Sequence, residues 1–207
     1  MWQKAAIIVA HPDDETLWAG GTILMYPQCE WEIISLCRQS DPDRAPRFFR
    51  ALEKYQAYGK IADFDDEPEQ NPLNIDDLKT AILSLLSNKK YDVVFTHGPK
   101  GEYTKHLRHE EVSQAVQELW AENKIQTKEL CLFAYEDGGK KYLPQPIKSA
   151  HIIKELPGDI WQGKYGIITS IYNFAEDSFE AKATPKEEAF WCFKKPEEIK
   201  KYFNRKE

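Results

Sequence analysis

Four apolar runs punctuate the chain: AAIIVA at 5–10, WEIISLC at 31–37, YDVVFTH at 91–97 and LCLFAYE at 130–136. The first has six apolar residues without a break, the mark of a strand covered on both faces. Between the runs lie TLWAGGTILMY, RAPRFFRALEKYQAYGK, NIDDLKTAILSLLS and RHEEVSQAVQELWAEN, which repeat apolar residues every three to four positions as amphipathic helices do. Asn74 stands ahead of Asp76 and Asp77 and supplies the third helix with a cap and first-turn acids. Strands alternating with helices predict an α/β fold, a Rossmann-like, mainly parallel sheet with helices on both faces. Beyond residue 137 the pattern weakens. DGGKKYLPQP reads as a loop or hairpin tip, LPGDIWQGKYGIITSIYNFAEDSF has aromatic residues without a clean period, and an irregular C-terminal cap, or extra strands and a helix, is expected there. PEEIKKYF closes the chain as a helix with Pro196 in its first turn. With no low-complexity linker and no internal repeat in view, residues 1–207 are taken as a single domain.

Composition narrows the function classes. A chain of 207 residues with 42% hydrophobic and 13% aromatic residues can bury a substantial core. Its 28 basic residues against 34 acidic ones leave a net charge of −6, which argues against nucleic-acid binding by phosphate neutralisation. The N-terminal apolar run meets acids at Asp13, too soon for a signal segment or a bilayer span, so no membrane insertion and a cytoplasmic location are expected. Cys29, Cys37, Cys131 and Cys192 include no C-x-x-C pair, which supports neither a thiolate zinc knuckle nor a dithiol redox site. Cys37 and Cys131 read as buried small hydrophobes, and paired disulfides are not expected.

In parallel sheets ligands gather at the carboxyl ends of strands, and two polar clusters sit at such ends. HPDDE follows the first strand, where His11 and Asp14 are close enough to bind one zinc ion or, read structurally, the acids cap the next helix. THGPKGEYTKHLRHEEV follows the third predicted strand and places His106 and His109 three apart at a helix start, as metal donors or as two solvated histidines. A nucleotide-binding module is disfavoured: no G-x-G-x-x-G follows the first strand, and Gly20 and Gly21 come too late for that turn.

AHPDDE after an apolar strand, followed later by GEYTKHLRH, resembles the LmbE-like (PIG-L) zinc-dependent deacetylases over roughly residues 5–136. The resemblance implies one zinc ion held by His11, Asp14 and His109, with Asp13 as general base and His106 stabilising the oxyanion or protonating the leaving amine. It implies as substrate an N-acetylated amino sugar or small sugar conjugate, the alternative being an amidase on a larger conjugate. Three protein ligands leave a fourth position for water, whose pKa zinc can lower to roughly 7. Against the usual GEYGHPDH, Thr104 and Lys105 separate Tyr103 from His106, Leu107 and Arg108 replace the proline and aspartate, and Arg50 stands where a glutamate is common. Tyr103, Asp41 and Arg47 are the candidate substrate contacts. Asp41 also reads as a turn residue, Arg47 equally as a solvated helix residue, and for Arg44 the solvated reading is preferred. His97 is read as a satisfied core histidine, His151 as structural, and Glu15 as a cap or backbone acceptor. Oligomeric state is left open.

Overall fold

The first strand is buried because it lies in the middle of a sheet. In the computed structural model, which describes residues 2–67, 69, 71–87 and 90–204, β1 (Lys4–Val9) leads into α1 (Asp14–Met25), then β2 (Glu30–Cys37), α2 (Arg44–Tyr55) and β3 (Tyr58–Phe64). There follow α3 (Ile75–Leu85), β4 (Lys90–Thr96), α4 (Leu107–Ala121) and β5 (Gln126–Phe133). A short ladder of β6 (Tyr135–Glu136) with β7 (Gln145–Pro146) comes next, followed by β8 (Ile152–Glu155) and α5 (Gly158–Gly166). A π-helical turn (Ile167–Ile171), α6 (Phe179–Ala183), β9 (Glu187–Phe193) and α7 (Pro196–Phe203) complete the order.

Seven strands form one sheet in the order β3-β2-β1-β4-β5-β9-β8. β1 to β5 run parallel, and β9 and β8 add an antiparallel edge. Connections from β1 lead outward through α1 and α2, then cross back through α3 to β4 on the other side of β1, so the helices form two packed sets on opposite faces. The core runs along both faces through Ile7, Ile8, Trp31, Ile33, Phe95 and Phe133. Asn74 caps α3, its side chain accepting from the amides of Asp76 and Asp77. No described helix is long and apolar enough to cross a membrane.

Two features depart from the sequence reading and one settles an alternative it left open. The helix expected to run to Lys60 stops at Tyr55, Gln56 turns left-handed with φ 55°, and the edge strand β3 follows. Of the two forms expected for the C-terminal region, extra strands with helices are found rather than an irregular cap, since β9 enters the main sheet beside β5. The third is a correction: Cys131 and Cys192, expected to be unpaired, lie opposite each other in the β5–β9 register and are joined in a disulfide. Strand register brings together residues 61 positions apart, which spacing along the chain could not reveal. Cys29 and Cys37 are free and buried.

The new edge is held to α1 by a buried ion pair. Glu188 of β9 accepts from the Lys164 ammonium at 2.8 Å, from the amides of Gly21 and Thr22 at 2.7 Å each, and from the Thr22 hydroxyl at 2.6 Å. Gly21 permits this approach: a Cβ there would lie 2.5 Å from both methyl carbons of Leu156.

Candidate metal centre

The crossover from α3 to β4 makes β1 a switch point, and the chains leaving the carboxyl ends of β1 and β4 diverge around a cleft. β1 ends at Val9, and His11, Pro12 and Asp13 form the turn into α1, whose first residue is Asp14. Asp13 has φ 117°, a conformation unfavourable for a residue with a Cβ, and its amide donates to Glu15 Oε2 at 3.0 Å. Glu15 is thus a backbone acceptor, as read from the sequence, and also takes the hydroxyls of Thr16 and Tyr172. From the other strand come His97, immediately after β4, and a loop to His106, which caps α4 and puts His109 in its first turn.

Three donor atoms converge. His11 Nδ1 lies 3.1 Å from Asp14 Oδ2 and 3.2 Å from His109 Nε2, and His109 Nε2 lies 3.3 Å from Asp14 Oδ2. A tetrahedron with metal bonds of about 2.0–2.1 Å has edges of about 3.3 Å, so the spacing fits three zinc ligands on one face of it. Each ring is oriented from behind. His11 Nε2 faces Asp66 Oδ1 at 3.0 Å, and His109 Nδ1 faces Glu102 Oε2 at 2.6 Å, which leaves the converging nitrogens with free lone pairs. Two further histidines stand within donor distance of His109, and hydrogen bonds set one of them, His97, apart from the converging three. His97 Nε2 accepts from the Ala10 amide at 2.9 Å while Nδ1 faces Glu102 at 2.9 Å, so both nitrogens are committed. His106 stacks on His109 with ring centroids 4.1 Å apart, and its buried Nδ1 has no hydrogen-bond partner among the described residues.

The electrostatics favour a cation at this point. Burial opposes the Asp14 charge, yet His109 and His97 outweigh it and hold the carboxyl well below its usual range. Burial opposes a charged His109 as well, but Asp14 and Glu102 raise it to about 10. Burial and the adjacent Asp14 charge push Asp13 well up, against the pull of Arg44. Burial together with His109 and His11 brings His106 down to about 3.

The cleft beside the donors has a volume of about 220 Å³ and is bordered by Asp13, Asp41, Arg44, Asp66, Tyr103 and His106, among others. Asp41 reaches its rim and is a turn residue too, Oδ1 accepting from the amides of Asp43 and Arg44. Tyr103 packs between Trp18 and His106. The inserted Thr104 binds Asp137 through its amide and hydroxyl, pinning the loop to the end of β6. Arg47, expected either at the substrate or as a solvated helix residue, is not among the residues bordering the cleft. It lies one turn further along α2, where its guanidinium meets Asp43 and the Ile171 carbonyl. Arg44 takes the place at the cleft, Nη1 lying 2.5 Å from Asp13 Oδ2. Arg108, in the position of the usual aspartate, turns from His106 to Glu111, Asp65 and the Asn71 carbonyl. His151 lies far from the site on the β9 side and accepts from the Cys192 amide.

Comparison with known proteins bears on the fold and the family. Uncharacterized protein L374 of Acanthamoeba polyphaga mimivirus is 25% identical over 129 residues, covering 55% of this chain and 56% of that protein. The chain therefore spans about half the length of the curated relative it matches. Among solved structures, an N,N'-diacetylchitobiose deacetylase from Pyrococcus horikoshii superposes with a TM-score of 0.68 at 14% identity, over 93% of this chain and 84% of that one. The zinc-inhibited form of a teicoplanin deacetylase superposes with a TM-score of 0.65 at 14% identity, over 92% and 97%. At such identities these two establish the shared fold. The model of the family PIG-L, GlcNAc-PI de-N-acetylase, matches residues 6–120, a stretch that holds every converging donor and more than half of the sequence, and the chain belongs to that family.

Proposed function

We propose that the protein hydrolyses an N-acetyl or other N-acyl group from an amino sugar or small sugar conjugate, with one zinc ion held by His11, Asp14 and His109. The observation that carries this reading is the triangle of donor atoms with Asp13 and His106 beside it at the cleft. When bound, the ion supplies Lewis acidity and eases deprotonation of a water. Asp13 accepts that proton, and Arg44 on its Oδ2 holds the carboxylate in line. His106, kept neutral by burial and by its neighbours, donates an N–H to the amide oxygen as that oxygen gains charge. The proton on Asp13 then serves the departing amine. Tyr103 and Asp41 remain candidate substrate contacts at the wall and rim.

Metal content and initial rate, measured together on N-acetylglucosaminides and simple acyl amides, test the assignment. Chelation should abolish turnover and zinc restore it. Asp14→Ala should lose metal and activity together, whereas Asp13→Asn should keep the metal and lose about 10²- to 10⁴-fold in rate. Full turnover after exhaustive chelation, or wild-type turnover by metal-replete Asp13→Asn, would overturn the mechanism.

A further inference from the structure

The family name contains a phosphoinositide, yet the charges around this cleft are arranged against a phosphate. Asp13, Asp14, Asp41, Asp66 and Glu180 line it, and the cations there are Arg38 and Arg44. Both are already engaged. Arg38 binds Asp66 Oδ2 through Nε at 2.9 Å and Nη2 at 2.6 Å, and its Nη1 lies 3.9 Å from Asp41. Arg44 sits on Asp13 and lies over the Phe174 ring, 4.5 Å from its centroid. The N-terminus of α2, a natural seat for an anion, is filled by Asp41, which takes the amides of Asp43 and Arg44. The groove that continues from the cleft past Arg38, Asp41 and Asp66 adds Asp63 and Glu67 to the acidic side. Lys105, on the loop ahead of His106, is exposed and is not among the residues lining the cleft.

We infer that the cleft selects an uncharged or cationic hydroxylated N-acyl amine and rejects phosphorylated or carboxylated ones. The inference rests on the deacetylase reading and names the substrate class of that site. Carboxylates suit sugar hydroxyls and a free amine as hydrogen-bond acceptors, while a phosphate would meet like charges and guanidinium groups that it could reach only by displacing a carboxylate. A zinc ion balances part of the acidic excess at the bottom of the cleft and leaves the rim as it is.

The test compares kcat/KM of the zinc-loaded enzyme for N-acetylglucosamine, its 6-phosphate, and a disaccharide carrying one free amine and one acetamide. The phosphate should lower kcat/KM by about tenfold or more, and added salt should narrow the gap by screening. The double variant Asp63→Asn with Glu67→Gln, remote from the donors, should raise the ratio of kcat/KM for the phosphorylated sugar to that for the neutral one. Equal or preferred turnover of the phosphorylated sugar would overturn the inference while the deacetylase reading stood. Should no sugar be turned over, the deacetylase reading falls and binding decides the charge rule. Tighter binding of the phosphorylated sugar, insensitive to the double variant, then overturns it, and weaker binding supports it.

Discussion

Asp66 is 55 residues from His11 in sequence and 3.0 Å from its Nε2 in space. Arg38 in turn donates to the other carboxylate oxygen of Asp66. The contact fixes the tautomer in which His11 Nδ1 is free to bind metal. Asp66→Asn should therefore weaken zinc binding by about 10- to 100-fold without unfolding the protein, as measured by competition with a fluorescent chelator. An unchanged zinc affinity would reduce Asp66 to a partner of Arg38. The converging residues themselves were legible in the sequence, because His11 and Asp14 lie in one short turn after a strand, and His106 and His109 in another. What orients them was less so. Glu102 had a signal, a glutamate seven residues before His109 in the same loop, but nothing in the spacing tells that it takes both His97 and His109. Asp66 comes from a loop after an edge strand and carried no signal. Arg44 and Arg47 share a helix face, and only the placement of α2 against the end of β1 decides which of them reaches Asp13.

At the scale of elements, β9 is tied to α1 by one carboxylate. Glu188 is fully buried together with Lys164 and takes two amides of α1. Removing it leaves a buried ammonium without its partner, and Glu188→Ala should cost about 3–5 kcal/mol in urea unfolding. A loss of less than about 1 kcal/mol, the range of an exposed pair, would show that water reaches Lys164. The start of β1 has a corresponding clamp in Asp92, which accepts from the Lys128 ammonium at 2.6 Å and from the amides of Gln3 and Lys4 at 2.7 and 3.1 Å. These bonds depress its pKa from an ordinary 3.8 to about 2. A depressed carboxylate binds its proton more readily when the chain is unfolded. Its stabilisation is therefore present above pH 3.8 and lost as pH falls towards 2. Acid titration of stability should show a shallower fall in Asp92→Asn than in wild type across that window, and identical slopes would remove Asp92 from the acid limb. Long central elements were readable from their periods. β3 was not, because its seven residues follow a helix after two linking residues and its burial is that of an edge. Extra strands beyond residue 137 were among the expectations, but the place of β9 was not readable, since its position beside β5 depends on pairing across some sixty residues.

For the whole molecule, the disulfide joins the last parallel strand to the antiparallel edge. Closing a loop of 61 positions restricts the unfolded chain, so Cys192→Ser or reduction should lower stability by about 2–4 kcal/mol and Tm by several degrees, in melts with and without thiol reagent. Identical melts would mean that the bond does not form in solution or that strain offsets its gain. The same bond makes the C-terminal third a covalent ring. Lys140 and Lys141 lie in an exposed turn inside that ring, while every converging donor lies ahead of it. A single tryptic cut there would leave one molecule on a non-reducing gel and two fragments once thiol is added. The two parts could then be made as separate chains and rejoined through one sulfur–sulfur bond, a route by which the C-terminal part could be exchanged while the part with the converging donors stays the same.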